Sequence, residues 1–414
     1  MSNAILKQES QTKKTMSLIM GLLIMLCTGI LYMWSVFLPY VVKEFGWATG
    51  DVGMTSSIMM AAFVLGNIIS GLVQSKVPAR IITCVTCVGC VVFAAGMYLT
   101  SLLKGGAPWM IYLTYGVLSG IGCGIAYNTV IAVLQKWFVS RRGLITGLAV
   151  GTFGAATVIL SPIVNNLLET SGVSNTFMIL SFAFLIVGGF ASFFVSQPPV
   201  EHYMRATAAA NDSTGAKQYT PREMVKTPMF YLLILSLFAS TAPYMVIVPY
   251  IKTIAVDRGV SEGLALATVM ITGIANASGR LICPVLSDKL RMSWIVIGYS
   301  IVASLSCILM IFARGPVYMI TVFLIAFTYG GGSGINPVMS TELFGAKHSG
   351  VNYGIVLIGL AVSSITMGKI ASAVGSTSTE GFSIVFVICA IVALIPIVAM
   401  MILRKICKKY GKDF

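Results

Sequence analysis

Charge is what this sequence has least of. Charged residues fill 10% of the 414 positions, against about 25% in an ordinary soluble domain. Only 13 residues are acidic, and histidine occurs twice, at His202 and His348. So few acids and imidazoles leave an enzyme without its usual general bases and metal ligands. The opening "MSNAILKQESQTKK" lacks the pattern of a cleaved signal peptide. Long polar segments are also scarce, the longest break running from Ser196 to Thr227, "SQPPVEHYMRATAAANDSTGAKQYTPREMVKT".

Hydrophobic residues, at 57%, take the place of the missing charge. They gather in runs of about 20 residues or more, long enough to cross about 30 Å of hydrocarbon at 1.5 Å per residue. Twelve such runs can be counted, at roughly 16–42, 51–74, 81–103, 110–136, 143–168, 175–195, 228–251, 263–287, 293–313, 317–340, 350–373 and 381–403. The expected fold is an all-α membrane protein, with twelve transmembrane helices in two six-helix bundles. The polar break divides the runs six and six, giving an N-terminal bundle over 1–195, a cytoplasmic linker over 196–227 and a C-terminal bundle over 228–414. A short internal match supports duplication: "WFVSRRGLITG" follows run 4 and "LFGAKHSGVNYG" follows run 10, as repeats in carrier folds do.

The net charge of +14 might point to nucleic acid, but the charges are in the wrong places for that. With the N-terminus inside, 20 of the 27 Lys and Arg fall in cytoplasmic segments, and the outer loops hold only Lys43, Lys104, Lys252, Arg258 and Arg314. This is the positive-inside asymmetry. It predicts a multi-pass protein of the inner (plasma) membrane with both termini cytoplasmic and no nucleic-acid partner. Trp47, Trp109, Trp137 and Trp294 sit at run ends, where an interfacial aromatic belt is expected.

The nine cysteines lie almost wholly within apolar runs. Cys84, Cys87 and Cys90 are spaced like a cluster but have no fourth ligand and no histidine, so buried, inert thiols are expected and neither a metal nor a cofactor. Glycines at Gly116, Gly120, Gly122 and Gly124, and at Gly143, Gly147, Gly151 and Gly154, allow close helix packing in lipid. Pro162 and "YGGGSGINP" are places where a helix can bend.

None of the acids lies deep in a run, yet Arg280, in "ITGIANASGRLICPVLSDK", does. It sits about five residues past the centre of run 8, or about 7 Å on the cytoplasmic side of the midplane. An unpaired guanidinium there costs at least about 2.5 kcal/mol. Two accounts compete. Water and backbone carbonyls solvate the charge in a packed site, or the side chain snorkels inward. Alternatively it faces a water-filled cavity between the bundles, and an anionic substrate supplies the missing charge. A planar guanidinium suits a carboxylate because two parallel N–H donors meet two oxygens. Asn276, one turn earlier, shares its helix face. Tyr32, Tyr127, Asn128, Tyr329 and Asn336 are polar mid-run residues able to line a small site, although packing or interhelical hydrogen bonds explain each equally well. Lys369, about one turn from the outer end of run 11, has a stem long enough to reach the interface.

At these residues the sequence resembles the major facilitator superfamily, through the two-half, twelve-run plan and "LSDK" after run 8. More narrowly, "GILYMWSVF", "QKWFVSRRGLITG", "NASGRLICPVLSDK" and "ELFGAKHSGVNYG" resemble the oxalate/formate antiporter family, relatives of the proton-linked monocarboxylate transporters. The resemblance implies an alternating-access carrier, not an enzyme, with Arg280 binding a carboxylate.

Two departures matter. "GLVQSKVPAR" has Ser75 where the superfamily's loop between helices 2 and 3 carries an acid, and Pro78 where it carries a glycine. The family's oxalate carrier is implied to clamp its dicarboxylate with a second cation, a lysine on helix 11, and that position is Leu360 here. Lys369 is nine residues on and points to the opposite helix face. One cavity cation fits one carboxylate, since a second would stay buried and unpaired. The expected substrate is a small monocarboxylate such as lactate, pyruvate, acetate or formate, moved by proton symport, with anion exchange as the alternative. Where the monocarboxylate transporters place an acid one turn before the arginine, this chain has Asn276, so proton coupling falls to Asp257, with Arg280 itself taking part. A monomer is expected. A carboxylate sensor is the rival reading, but the polar tails of about 15 and 11 residues leave little room for a signalling domain.

Overall fold

The computed structural model describes residues 2–199, 218–287, 289–345, 348–375 and 379–409. Most of the expected linker, with His202, lies outside the described residues, as does Asp288 of "LSDK". Every regular element among the described residues is helical. The first four long helices are α1 (Gln11–Phe45), α2 (Thr49–Gln74), α3 (Ala79–Ser101) and α4 (Trp109–Trp137). The next helical run, Leu144–Ser192, has 49 residues, about twice the length one crossing needs. It breaks at Gly172, whose φ of 75° lies in the left-handed region that a residue without Cβ adopts freely. The run therefore supplies two spans, α5 (144–171) and α6 (173–192).

The second set comprises α7 (Pro228–Ile247), α8 (Glu262–Ser287), α9 (Met292–Phe312), α10 (Pro316–Phe344), α11 (Gly350–Ala373) and α12 (Phe382–Lys408). The protein is thus an all-α, twelve-span membrane protein built as two six-helix bundles. Consecutive spans run in opposite directions, so the chain ends share one face, the terminal face. The α1–α2, α5–α6 and α7–α8 turns share the other, called the far face.

The two bundles meet where α5 packs on α8 and α2 on α11. Toward the far face Gly273 of α8 sits against Thr157 of α5, and Ser364 Oγ donates to the Ser57 carbonyl across α11 and α2 at 3.0 Å. Toward the terminal face Gly147 approaches Leu281, and Gly71 approaches Val351. Small residues at each crossing bring the backbones close, as packing in lipid requires. The outer surface is apolar: Phe312 is 75% exposed, Phe193 69% and Ile186 68%, as expected where hydrocarbon replaces water.

The aromatic belt is only half as expected. Trp109 and Trp294 are exposed, but Trp47 and Trp137 are buried. Their indole N–H groups donate to the carbonyls of Gly106 (2.8 Å) and Ser196 (2.7 Å). A buried indole needs such an acceptor, so these two tie down connecting segments instead of lying in the interface. The cysteines also divide: seven are buried, Cys87 is half-buried and Cys84 is exposed. "YGGGSGINP" stays helical within α10. Its glycines serve close approach, Gly330 facing the Asn276 backbone and Gly334 that of Arg280.

The described ends of the expected linker are held by hydrogen bonds. Ser196 N donates to Ser17 Oγ at 3.3 Å, Tyr219 N to the Phe344 carbonyl at 2.9 Å, and Asn352 Nδ2 to the Tyr219 carbonyl at 3.0 Å.

Candidate functional site

The site is built on α8. Gly279 lies against Phe327 and Gly331 of α10, which presses the helices together and leaves Asn276 and Arg280 stacked one turn apart. Arg280 Nε donates to Asn276 Oδ1 at 2.7 Å, the i, i+4 contact that helical spacing offers.

The other partners come from the first bundle. α1 tightens into a 3-10 turn over Gly29–Met33, seated by Gly29 against the backbone of Phe153 and against Ala156 on α5. That turn carries Tyr32, whose hydroxyl accepts from Arg280 Nη2 at 2.7 Å and pairs with the Tyr329 hydroxyl of α10 at 2.9 Å. Arg280 Nη1 donates to the Val150 carbonyl of α5 at 3.3 Å. The guanidinium carbon also lies 5.6 Å from the Tyr32 ring centre and 5.8 Å from that of Tyr329, within cation–π range.

Aromatic rings close the site. Tyr244 of α7 stacks on Tyr329 with centroids 4.4 Å apart. Phe153 meets Tyr32 edge-on at 5.4 Å and Tyr127 at 4.9 Å. Tyr127 and Tyr353 lie within electrostatic reach of the guanidinium. Sequence reading missed Phe153, Tyr244 and Tyr353 because aromatics inside apolar runs carry no distinguishing pattern. It missed Val150 because only a backbone oxygen is used.

Arg280 is 3% exposed, so the open, water-filled cavity expected around it is absent from this conformation. It lies at the bundle interface, where α5 packs on α8 and α2 on α11. Yet its hydrogen-bond acceptors here, Asn276 Oδ1, Tyr32 Oη and the Val150 carbonyl, are all neutral. Arg258 is the other buried arginine among the described residues, between α7 and α8. Its Nη1 donates to the carbonyls of Met310, Ile311 and Ala313 at 3.0–3.2 Å, at the negative end of the α9 dipole. Arg258 therefore caps a helix, whereas Arg280 bridges the bundles.

Three predicted site residues lie elsewhere. Asn128 accepts from Gln74 Nε2 at 3.0 Å, an α4–α2 contact within the first bundle. Asn336, two turns beyond Tyr329, donates to the Gly332 carbonyl at 2.7 Å. Asp257 is exposed and lines a separate cleft of about 580 Å³ at the far face, beside Tyr40, Lys43, Asn165, Glu169, Lys252 and Glu262. Leu360 is 5% exposed. Lys369 is exposed, away from Arg280.

Comparison with known proteins matches the sequence to a family. The chain is 25% identical over 361 residues to an uncharacterized MFS-type transporter, YhjX, of Escherichia coli, covering 86% of this chain and 87% of that protein. It is 25% identical over 389 residues to the oxalate:formate antiporter of Oxalobacter formigenes, covering 90% and 87%. It is 23% identical over 400 residues to human monocarboxylate transporter 12, covering 84% and 73%. Residues 18–368 match the model of the Major Facilitator Superfamily. Twelve spans in two bundles, closed around a shared polar centre, together with a match over most of the chain, place this protein in the Major Facilitator Superfamily of membrane transporters.

Proposed function

We propose that this protein is an alternating-access carrier of small monocarboxylates such as lactate or pyruvate, driven by proton symport. One observation carries the reading. A buried guanidinium held between the bundles receives hydrogen-bond acceptors from both, and every one of them is uncharged. A carboxylate entering between the bundles replaces Tyr32 Oη and the Val150 carbonyl with charged oxygens, and charge-assisted pairs are about twice as strong as neutral ones.

The sealed geometry then represents the carrier closed around its centre, with tyrosine oxygens standing where carboxylate oxygens bind. Arg280 supplies the charge and Asn276 orients it. Tyr32 and Tyr329 couple the two bundles, and Tyr127 borders the same space. The names of the oxalate:formate antiporter and monocarboxylate transporter 12 support a carboxylate substrate. Leu360, buried and apolar, argues for one carboxylate instead of two, because a second would find no cation there. Asn128 and Asn336 have supporting roles: Asn128 Oδ1 is taken by Gln74, while Asn336 donates to Gly332 and its buried Oδ1 has no hydrogen-bond partner among the described residues. Asp257, in the far-face cleft, is the proton-coupling candidate together with Arg280.

The bundles are assigned to 1–195 and 228–414, joined by a cytoplasmic linker over 196–227. The carrier acts as a monomer in the inner membrane with both termini cytoplasmic, and without a cofactor. The second reading, anion exchange, is favoured by similarity to the oxalate:formate antiporter. Uptake of labelled lactate into liposomes, driven either by an imposed pH gradient or by preloaded anions, separates symport from exchange. Accumulation of unmodified label identifies a carrier as opposed to a sensor or an enzyme, and lactate uptake by Arg280→Gln at the parent rate overturns the site.

A further inference from the structure

The far-face cleft lies above the Arg280 site on the same helices. Tyr40 and Lys43 continue α1 beyond Tyr32, and Asn165 and Glu169 continue α5 beyond Val150 and Phe153. Lys252 and Asp257 follow α7 beyond Tyr244, while Glu262 opens the helix that carries Asn276 and Arg280. The cleft therefore overlies the far-face ends of the helices that build the central site, at the mouth that an opening on that face would use.

One contact crosses the mouth. Lys252 Nζ, from the second bundle, donates to Asn165 Oδ1 of the first at 2.6 Å and lies 4.9 Å from the Tyr40 ring centre. Asn165 is itself held on the far side: its Nδ2 donates to Glu169 Oε1 at 2.7 Å, and the single O–H of Tyr40 lies within hydrogen-bond reach of both that oxygen (3.1 Å) and Asn165 Oδ1 (3.2 Å). Glu169 thus fixes the amide so that its oxygen faces the ammonium. Lys252 is half-buried, and burial pushes its ammonium down from its ordinary value while Glu169 and Glu262 act in the opposite sense.

We infer that Lys252 and Asn165 form a latch that holds the two bundles together at the far-face mouth, making Lys252 a positioning residue of the transport cycle. The acids of the cleft, Glu169, Asp257 and Glu262, outnumber Lys43 and Lys252. That balance suits a cation locked between the bundles better than a station for incoming anions. Opening the mouth separates Lys252 from Asn165 and leaves the ammonium to water. Closing it restores a charge-assisted bond, and that difference biases the carrier toward the closed state.

The test reads opening directly and needs no substrate, so it stands or falls apart from the monocarboxylate reading. Leu266, which lines the cleft, is changed to cysteine in the full chain after replacement of the nine native cysteines, and its rate of modification by a maleimide is followed in detergent. Lys252→Met and Asn165→Leu are each expected to raise that rate about tenfold, as the loss of one charge-assisted hydrogen bond implies. Combined, they should raise it no further than either alone, because one contact is broken once. Lys252→Arg, which keeps a donor, should stay within about threefold of the parent. Thermal unfolding identifies any variant that has lost its fold, in which case the remaining single variant and Lys252→Arg decide. Unchanged modification in folded Lys252→Met or Asn165→Leu overturns the latch, as do multiplicative effects in the double variant.

Discussion

The hydroxyls of Tyr32 and Tyr329, 297 positions apart in sequence, are 2.9 Å apart in space. One belongs to the first bundle and the other to the second, and the same Tyr32 oxygen accepts from Arg280 at 2.7 Å. The charge at the centre of the protein is therefore held by an oxygen that also bridges the bundles. On the proposed function, binding and movement share an atom.

Tyr32→Phe keeps the ring and its contacts with Phe153 and Tyr244 but removes that atom. A hydrogen bond to a charged group is worth about 1.5–3 kcal/mol, and on the proposed reading the substrate must displace this one, so apparent affinity should tighten by roughly tenfold or more while maximal rate falls as the bridge between the bundles is lost. Concentration-dependent uptake in liposomes checks this. An unchanged KM and rate would remove Tyr32 from the site.

Arg280→Gln leaves the helix intact and takes away the charge at the site. Transport should drop at least about a hundredfold, since no other cation among the described residues bonds at the site, while a folded protein is still recovered because a costly buried charge has gone. Size-exclusion behaviour together with lactate uptake makes the comparison. The variant should also lose ligand-induced thermal stabilisation.

Leu360→Lys adds a second cation on α11. Preference should move toward dicarboxylates, seen as stronger inhibition of labelled lactate uptake by oxalate than by acetate. A competition series with no shift would mean that α11 does not face the substrate at this level.

Gly279→Val tests the foundation of the site. A side chain there meets the Phe327 carbonyl and the Gly330–Gly331 backbone, which cannot yield without parting α8 from α10. Overpacking of this kind costs about 1–3 kcal/mol or more. Thermal unfolding should show a lower midpoint, with transport lost along with the fold.

The spans were legible because a membrane imposes one length on every crossing and excludes charge from it. The same rule made Arg280 visible, and helical spacing added Asn276. What joins them to Tyr32 and Tyr329 was not legible, since long-range pairing leaves no local trace. Aromatics such as Tyr244 and Phe153 look the same in sequence whether they line a site or fill a core. Trp47 and Trp137 misled for a related reason: their positions at helix ends said where they lie along the membrane normal, but not which way they point. Asn128 and Asn336 were polar at the right depth and yet bond within their own bundle or helix.

Glu44, at the end of α1, accepts from the N–H of Val173 at 2.9 Å, just past the break at Gly172. A carboxylate there caps the start of α6, while Gly29 locks the middle of α1 onto α5. Pinned at both heights to neighbours on its own side, the first helix is tied to α5 and α6. On the proposed alternating-access function, a stroke that uncovers Arg280 carries α1, α5 and α6 as one lever.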